Sequence, residues 1–148
     1  MAGPRLAVRA LIVEDGKLLL VNAYKAGLSD LWCAPGGGVE PHASLTENLV
    51  REVFEETGLT IKVGALALVN EFHSPEKGFH QVELFFRATI AGGALDPAWR
   101  DTDEIVSERA FFDRDALAGI RFKPDSLADA AFGPPGEAKY DSLELLVR

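Results

Sequence analysis

The sequence predicts a single α/β domain, and three observations carry that prediction. Its 148 residues amount to about one domain. Apolar runs of strand character open the chain and return after residue 60, and one amphipathic helical segment lies between them. Hydrophobic residues make up 47% and charged residues 26%, a balance that supplies a core and excludes disorder as the main state. With no internal repeat and no dividing linker, residues 1–148 are expected to act as one domain.

Residues Arg5 to Val13 and Lys17 to Ala23 are rich in Val, Leu and Ile and flank Glu14-Asp15-Gly16. Asp-Gly between apolar runs is a strong turn signal, so the spacing predicts an opening β-hairpin. A polar loop then leads to Leu31-Trp32-Cys33-Ala34 and Pro35-Gly36-Gly37-Gly38. The glycines are expected to stop regular structure and let the backbone approach a ligand closely, a plain tight turn being the simpler alternative. Ser44 and Glu47 have the spacing of a capping box, and Gly58 is placed to end a helix in the left-handed conformation, which predicts a helix from Leu45 to Thr57. Thr60 to Phe72 and Phe79 to Ile90 read as strands around a loop at Ser74 to Gly78, Gly92-Gly93 as a turn, and Glu108 to Phe112 as a later strand. Asp113 to Ala118 and Pro124 to Phe132 read as short helices, the second with proline in its first turn, before a loop at Gly133-Pro134-Pro135-Gly136.

Fifteen Lys and Arg stand against 23 Asp and Glu, a net charge of −8. That sum opposes the basic surface a nucleic-acid polymer requires, but it permits a small anionic ligand whose charge a metal ion offsets. The lone cysteine, Cys33, forms no internal disulfide and agrees with a reducing compartment. Arg9, Glu14, Asp15 and Lys17 interrupt the apolar opening segment, unlike a secretory signal, and no later segment is expected to span a bilayer. A cytoplasmic location is the expectation.

The helical segment carries Arg51-Glu52 and Glu55-Glu56. At about 100° per residue Glu52, Glu55 and Glu56 point to one side, so three carboxylates are expected to converge. Leu45, Leu49 and Val53 mark the core-facing stripe, and the same angle sets Glu52 and Glu56 beside it, partly buried. Glu55 and Glu56 also fall in the last turn, where the helix macrodipole disfavours negative charge. A merely solvated acidic face explains neither feature, whereas a bound cation offsets both. Hard carboxylate oxygens without adjacent His or Cys suit Mg²⁺, with Mn²⁺ as the alternative, and Mg²⁺ commonly combines few carboxylates with water and substrate phosphates. Arg51 either supports the helix by pairing with Glu55 at i,i+4 or orients a catalytic carboxylate in the cluster.

The run GGGVEPHASLTENLVREVFEETGL resembles the Nudix box, written G-x5-E-x7-R-E-U-x-E-E-x-G-U with U aliphatic. Gly37, Arg51, Glu52, Val53, Glu55, Glu56, Gly58 and Leu59 occupy the expected places, with Trp32 and Pro35-Gly36 ahead of them as often seen in the family. The place of the first glutamate holds Ala43, which implies weakened metal binding more than lost activity; Glu40 lies close enough in sequence to compensate in part. The resemblance implies an α/β/α sandwich with a mixed central sheet, the box helix on one side and the later helices on the other. It implies that Glu52, Glu55 and Glu56, helped by the Gly36 carbonyl, hold Mg²⁺ while Arg51 orients Glu52. The implied reaction is attack of water on a diphosphate bridge in a nucleoside diphosphate linked to another moiety, a nucleoside triphosphate or nucleotide-sugar type of substrate. Glu52 or a late-loop acid is the implied general base, Glu104 being preferred over its neighbours Asp103 and Glu108.

Other residues carry weaker signals. His73 and His80 are expected to hydrogen-bond within their loop, and Cys33 to be a small semi-buried side chain. Phe72, Phe79 and Tyr24 are expected in the core, while Trp99, in a polar run, is expected to be accessible and able to stack on a base. Arg121 and Lys123 are isolated cations that either meet a phosphate or simply face solvent. The rival reading is a non-catalytic Nudix-like module that senses a nucleotide or binds a protein; a further one is an enzyme acting on RNA ends. A homodimer is common in the family, though no segment here marks an interface.

Overall fold

The computed structural model describes residues 3–24 and 27–148. Its strands, in chain order, are β1 (Arg5–Glu14), β2 (Lys17–Asn22), β3 (Leu31–Trp32), β4 (Gly36–Gly38), β5 (Thr60–Ser74), β6 (Phe79–Gly92), β7 (Glu108–Asp113), β8 (Arg121–Phe122), β9 (Lys139–Tyr140) and β10 (Glu144–Leu145). Two α-helices, α1 (Leu45–Thr57) and α2 (Leu127–Phe132), and two single turns of 3₁₀-helix complete the fold. The main sheet runs β10-β5-β6-β1-β2-β7, with β4 added to β1 and β9 to β5. It is mixed: β1 lies parallel to β6 but antiparallel to β2 and β4, while β5 and β6 form a long antiparallel pair. Asp15 and Gly16 both take positive φ, the conformation that a two-residue type I′ hairpin demands.

The sheet is covered on both faces, which is why β1 and β2 read as nearly unbroken apolar runs. Val8, Ala10, Ile12 and Leu19 pack with Leu49 and Val53 of α1; Leu11, Leu18 and Leu20 pack with Leu127, Ala130 and Ala131 of α2. The expected α/β/α sandwich is therefore found. Among the described residues no helix is long and apolar enough to cross a membrane.

Three local expectations are corrected. Gly36 to Gly38 do not stop regular structure but form β4 against β1, because a Cβ on Gly36 would lie 1.9 Å from the Val8 carbonyl oxygen and only glycine permits that pairing. The first short helix is one 3₁₀ turn at Ala116–Gly119, started by the Asp113 carboxylate accepting from the Ala116 N–H at 2.8 Å. The second begins at Leu127 rather than at Pro124: the Pro124 carbonyl closes a preceding turn with the Leu127 N–H, while Asp125 pairs with Lys123.

Candidate active site

The capping sequence fixes where the acidic residues of α1 fall. Ser44 Oγ accepts from the Glu47 N–H at 3.0 Å, and Gly58 ends the helix at φ 75°. With Leu49 and Val53 buried against β1, Glu56 is carried into the interior at 7% exposure, and its Oε1 accepts from the Gly36 N–H at 2.9 Å. Glu52, one turn earlier, lies against Gly37: a Cβ there would stand 2.6 Å from its Oε2. The glycine strand thus holds both carboxylates, and a side chain at Gly37 would displace Glu52.

Glu55 does not join them. Arg51 Nη1 donates to both Glu55 oxygens at 3.3 Å, stands 3.4 Å from Glu52, and so separates the outer carboxylate from the inner two. One guanidinium thus touches both carboxylates, pairing with Glu55 at i,i+4 and standing beside Glu52. Among the described residues no three acidic, His or Cys side chains stand close enough together, as they lie, to enclose an ion. Arg51 is shared by Glu52 and Glu55, while Glu56 is taken by the Gly36 N–H. Glu52 and Glu56 both lie against the glycine strand, Glu52 beside Gly37 and Glu56 on the Gly36 N–H.

Burial pushes the Glu56 carboxyl up to about 8, and the nearby Glu52 and Asp101 charges add to it; Arg9 and the Gly36 N–H pull it down without compensating. Glu52 is also raised, first by burial and then by Glu55 and Asp103, against the pull of Arg51 and Arg9. Two neighbouring acids that resist ionisation in the folded chain are what a site built for an added positive charge looks like.

Arg9 is the counter-charge that sequence reading missed. It projects from β1, donates from Nε to Glu83 Oε2 at 2.7 Å, and reaches the Ala34 and Gly36 carbonyls from Nη1 at 3.2 and 3.4 Å. Burial by itself disfavours its charge, but Glu83, Cys33 and Glu56 outweigh burial and hold it protonated. Its available signal was an arginine in the middle of an otherwise apolar strand. Cys33 sits beside it, and burial pushes that thiol up to about 11, so it is a packed side chain and no nucleophile.

The orphan carbonyls at the α1 C-terminus are taken by side chains from later in the chain. Trp99 Nε1 donates to the Glu55 carbonyl at 2.9 Å, its ring covers Gly58 and meets Phe54 edge-on at 5.4 Å, and Arg109 Nε donates to the Glu56 carbonyl. Trp99 is therefore half-buried helix packing, contrary to the expected stacking platform. Arg109 brings to the last turn the cation its own sequence lacks. Glu104 lies exposed in the loop before β7 at φ 54°. That loop is held by Asp101, 5% exposed, whose carboxylate accepts from the N–H groups of Asp103, Ile105 and Val106 at 2.9–3.3 Å. From this loop Asp101 and Asp103, rather than Glu104, bear on the charges of Glu56 and Glu52.

Asn48 ties the loop before α1 to the helix and to Arg51. At 1% exposure, its Nδ2 donates to the Ala43 and Ser44 carbonyls at 3.2 and 2.8 Å, and its Oδ1 accepts from Glu40 N–H at 2.9 Å and Arg51 Nη2 at 3.2 Å. Glu40 itself is 70% exposed and 3.8 Å from Arg51, a weak contact. Asn48→Ala strips partners from several buried groups at once, and chemical denaturation is expected to show a loss of about 2 kcal/mol; an unchanged midpoint would remove Asn48 from this role.

Phe72, Phe79 and Tyr24 are only partly buried and lie outside both core clusters, which corrects their expected core position, and His73 meets His80 through a ring contact at 6.0 Å. His80 Nε2 is 3.1 Å from Glu71 Oε1, Phe72 and Phe79 pair at 6.0 Å, and Arg121 meets Asp30 at the surface. Lys123 stands 3.2 Å from Asp125 and 3.5 Å from Glu144.

A family model described as NUDIX domain matches residues 3–132. An ADP-ribose pyrophosphatase of Methanocaldococcus jannaschii is 30% identical over 124 residues, which cover 84% of this chain and 70% of that protein. A diphosphoinositol polyphosphate phosphohydrolase 3-alpha of Mus musculus is 33% identical over 99 residues, covering 67% of this chain and 56% of that protein, so the chain spans little more than half of that relative. Among solved structures, a NUDIX hydrolase from Nitrosomonas europaea superposes with a TM-score of 0.72 at 24% identity over 86% of each chain. A UDP-X diphosphatase superposes at 0.71 and 27% identity, covering 95% of this chain and 68% of that one.

Proposed function

The chain belongs to the Nudix family, and from that premise we propose that it is a pyrophosphohydrolase cutting the diphosphate bridge of a nucleoside diphosphate linked to another moiety. The observation that carries the reading is the pair Glu52 and Glu56, held on one helix face against the Gly36–Gly37 backbone and pushed toward the neutral form. The oxygen-only donor set fits a hard divalent cation, Mg²⁺ or Mn²⁺. Glu52, Glu56 and the Gly36 carbonyl would hold it, with Glu55 as a further donor from the same turn. The Gly36 oxygen accepts one long side-chain hydrogen bond, from Arg9 at 3.4 Å, and a carbonyl oxygen offers two lone pairs. When bound, the cation supplies positive charge against the diphosphate and lowers the pKa of water.

The chain's own residues do the rest. Arg51 keeps Glu52 and Glu55 in fixed rotamers, and Asn48 anchors Arg51. Glu52, or Glu104 on its exposed loop, takes the proton of the attacking water; the P–O bond of the bridge breaks, leaving a phosphate group on each product. Residues 1–148 act as one domain: β9 and β10, beyond the matched region, extend the same sheet. The names of the relatives favour nucleotide conjugates such as ADP-ribose or a UDP-linked group.

Incubation with Mg²⁺ and a panel of nucleoside triphosphates and diphosphate conjugates, read by phosphorus NMR, tests this. Two phosphorylated products that disappear on chelation of the metal are expected; nucleotide binding without turnover, with activity restored by Ala43→Glu, would give the place to the non-catalytic module. Gly37→Ala places a methyl group 2.6 Å from Glu52 Oε2, and a displaced carboxylate of this kind is expected to cost about 10²-fold in kcat. Equal kcat in that variant would show that Glu52 does not act from this position.

A further inference from the structure

Two of the chain's three histidines face each other near the closed end of the β5–β6 ribbon, His73 of β5 being the direct cross-strand partner of His80 of β6. The His73 carbonyl accepts from the Leu146 N–H at 2.8 Å, on the β10 side, so the backbone polar groups of His73 turn away from β6. The pair is therefore of the non-hydrogen-bonded kind, in which facing side chains stand closest. Its ring centroids are 6.0 Å apart. Two imidazoles that each set a nitrogen about 2.1 Å from one ion have centroids on the order of 5 to 6 Å apart, so this pair is near the spacing of a chelate. Both rings are partly exposed and open to an ion from solvent.

Glu71, two residues before His73, projects from the same face of β5. Its Oε1 lies 3.1 Å from His80 Nε2, and its Oε2 accepts from the Tyr140 hydroxyl of β9. A carboxylate only accepts, so in the neutral ring Nε2 carries the hydrogen and Nδ1 keeps the lone pair. An outer carboxylate that fixes the tautomer of a histidine, and is itself held by a further donor, is the support that metal-ligating histidines usually have. His73 also lines an open cleft of about 600 Å³, which leaves room for water. Lys77 and Arg148 line the same cleft, so negative charge does not gather hard cations there. Imidazole nitrogen instead suits Zn²⁺, Ni²⁺ and Cu²⁺. We propose that His73 and His80 form a two-nitrogen site for a divalent transition-metal ion, separate from the carboxylates of α1, with Glu71 positioning His80 and water supplying the other ligands.

The test uses the full chain with saturating Mg²⁺, titrated with Zn²⁺ by calorimetry and with paramagnetic Ni²⁺ by NMR of the histidine rings. A Zn²⁺-binding event that persists in Mg²⁺ is expected, lost in both His73→Ala and His80→Ala and weakened about 10-fold in Glu71→Gln. Should a variant fold poorly, the unaltered protein gives the second measurement. Ni²⁺ is expected to broaden the ring resonances of His73 and His80 together and to spare His42, which stands in the loop before α1 and serves as the internal control. Nitrogen–proton correlation spectra are expected to show His80 protonated on Nε2, the tautomer that Glu71 selects. Zn²⁺ binding equal in the parent and both alanine variants, or Ni²⁺ broadening as strong at His42 as at the pair, would overturn the site. A His80 ring protonated on Nδ1 instead would overturn the role of Glu71.

Discussion

Glu56→Gln is expected to lower kcat by about 10³-fold while leaving KM within a few-fold, the size of effect seen when a group acting on the transition state is removed. Glutamine keeps an oxygen for the Gly36 N–H, so the 2.9 Å contact that aligns α1 with β4 is retained. What is lost is the negative charge that a divalent cation needs. The loss should appear in kcat because substrate recognition away from the diphosphate is untouched. Steady-state kinetics on the best substrate of the panel, with circular dichroism to confirm the fold, checks it. A variant retaining more than a tenth of the activity would move the essential carboxylate elsewhere, to Glu52 or Glu104.

The same substitution should have the opposite effect on the stability of the metal-free protein. Glu56 has an ordinary value of 4.5 and is raised to about 8 in the folded chain. Below pH 4.5 folded and unfolded states both hold the proton, and the contribution of this group is fully present. Between 4.5 and 8 the unfolded chain has released a proton that the folded chain keeps, so stability falls as pH rises, and above about 8 the contribution is gone. At about 1.4 kcal/mol per pH unit the loss is on the order of a few kcal/mol. Urea denaturation at pH 5.5 and pH 8.5 should show this decline in the parent and a flatter profile in Glu56→Gln. Mg²⁺ should restore stability at pH 8.5, by about 2.7 kcal/mol at a hundred times its dissociation constant, and do little for the variant. A parent whose stability rises across this window, or a variant with the same slope, would mean that Glu56 is ionised in the folded state throughout.

A site that destabilises its own scaffold in this way is common where charges are gathered for function. Arg9 and Arg109 hold the cost within bounds, the first by facing Glu56 from β1, the second by capping the Glu56 carbonyl. Both come from strands far from the helix in sequence.

Much of this was legible in the chain. Local rules act over a few residues, and they were obeyed: Asp15-Gly16 made the hairpin, Ser44 and Gly58 bounded α1, and the helical angle put Leu49 and Val53 inward with Glu56 beside them. The box motif carried the family, because its spacing is itself a helix geometry. The glycine run was read as a break since its partner, β1, lies 27 residues away, from Arg9 to Gly36, and no local signal announces that pairing. Trp99 was misread for the same reason: a polar neighbourhood in sequence proved to be the end of α1 in space.

The sequence by itself therefore determined the fold class, the helix and the order of its carboxylates, all products of short-range geometry. Only the tertiary structure decided what each carboxylate faces. Gly36 takes Glu56, Arg51 takes Glu55, and Arg9 stands between Glu56 and Glu83. Those pairings depend on the register between strands, and register is set by how the whole sheet buries its two faces, a sum over contacts that no local stretch of residues contains.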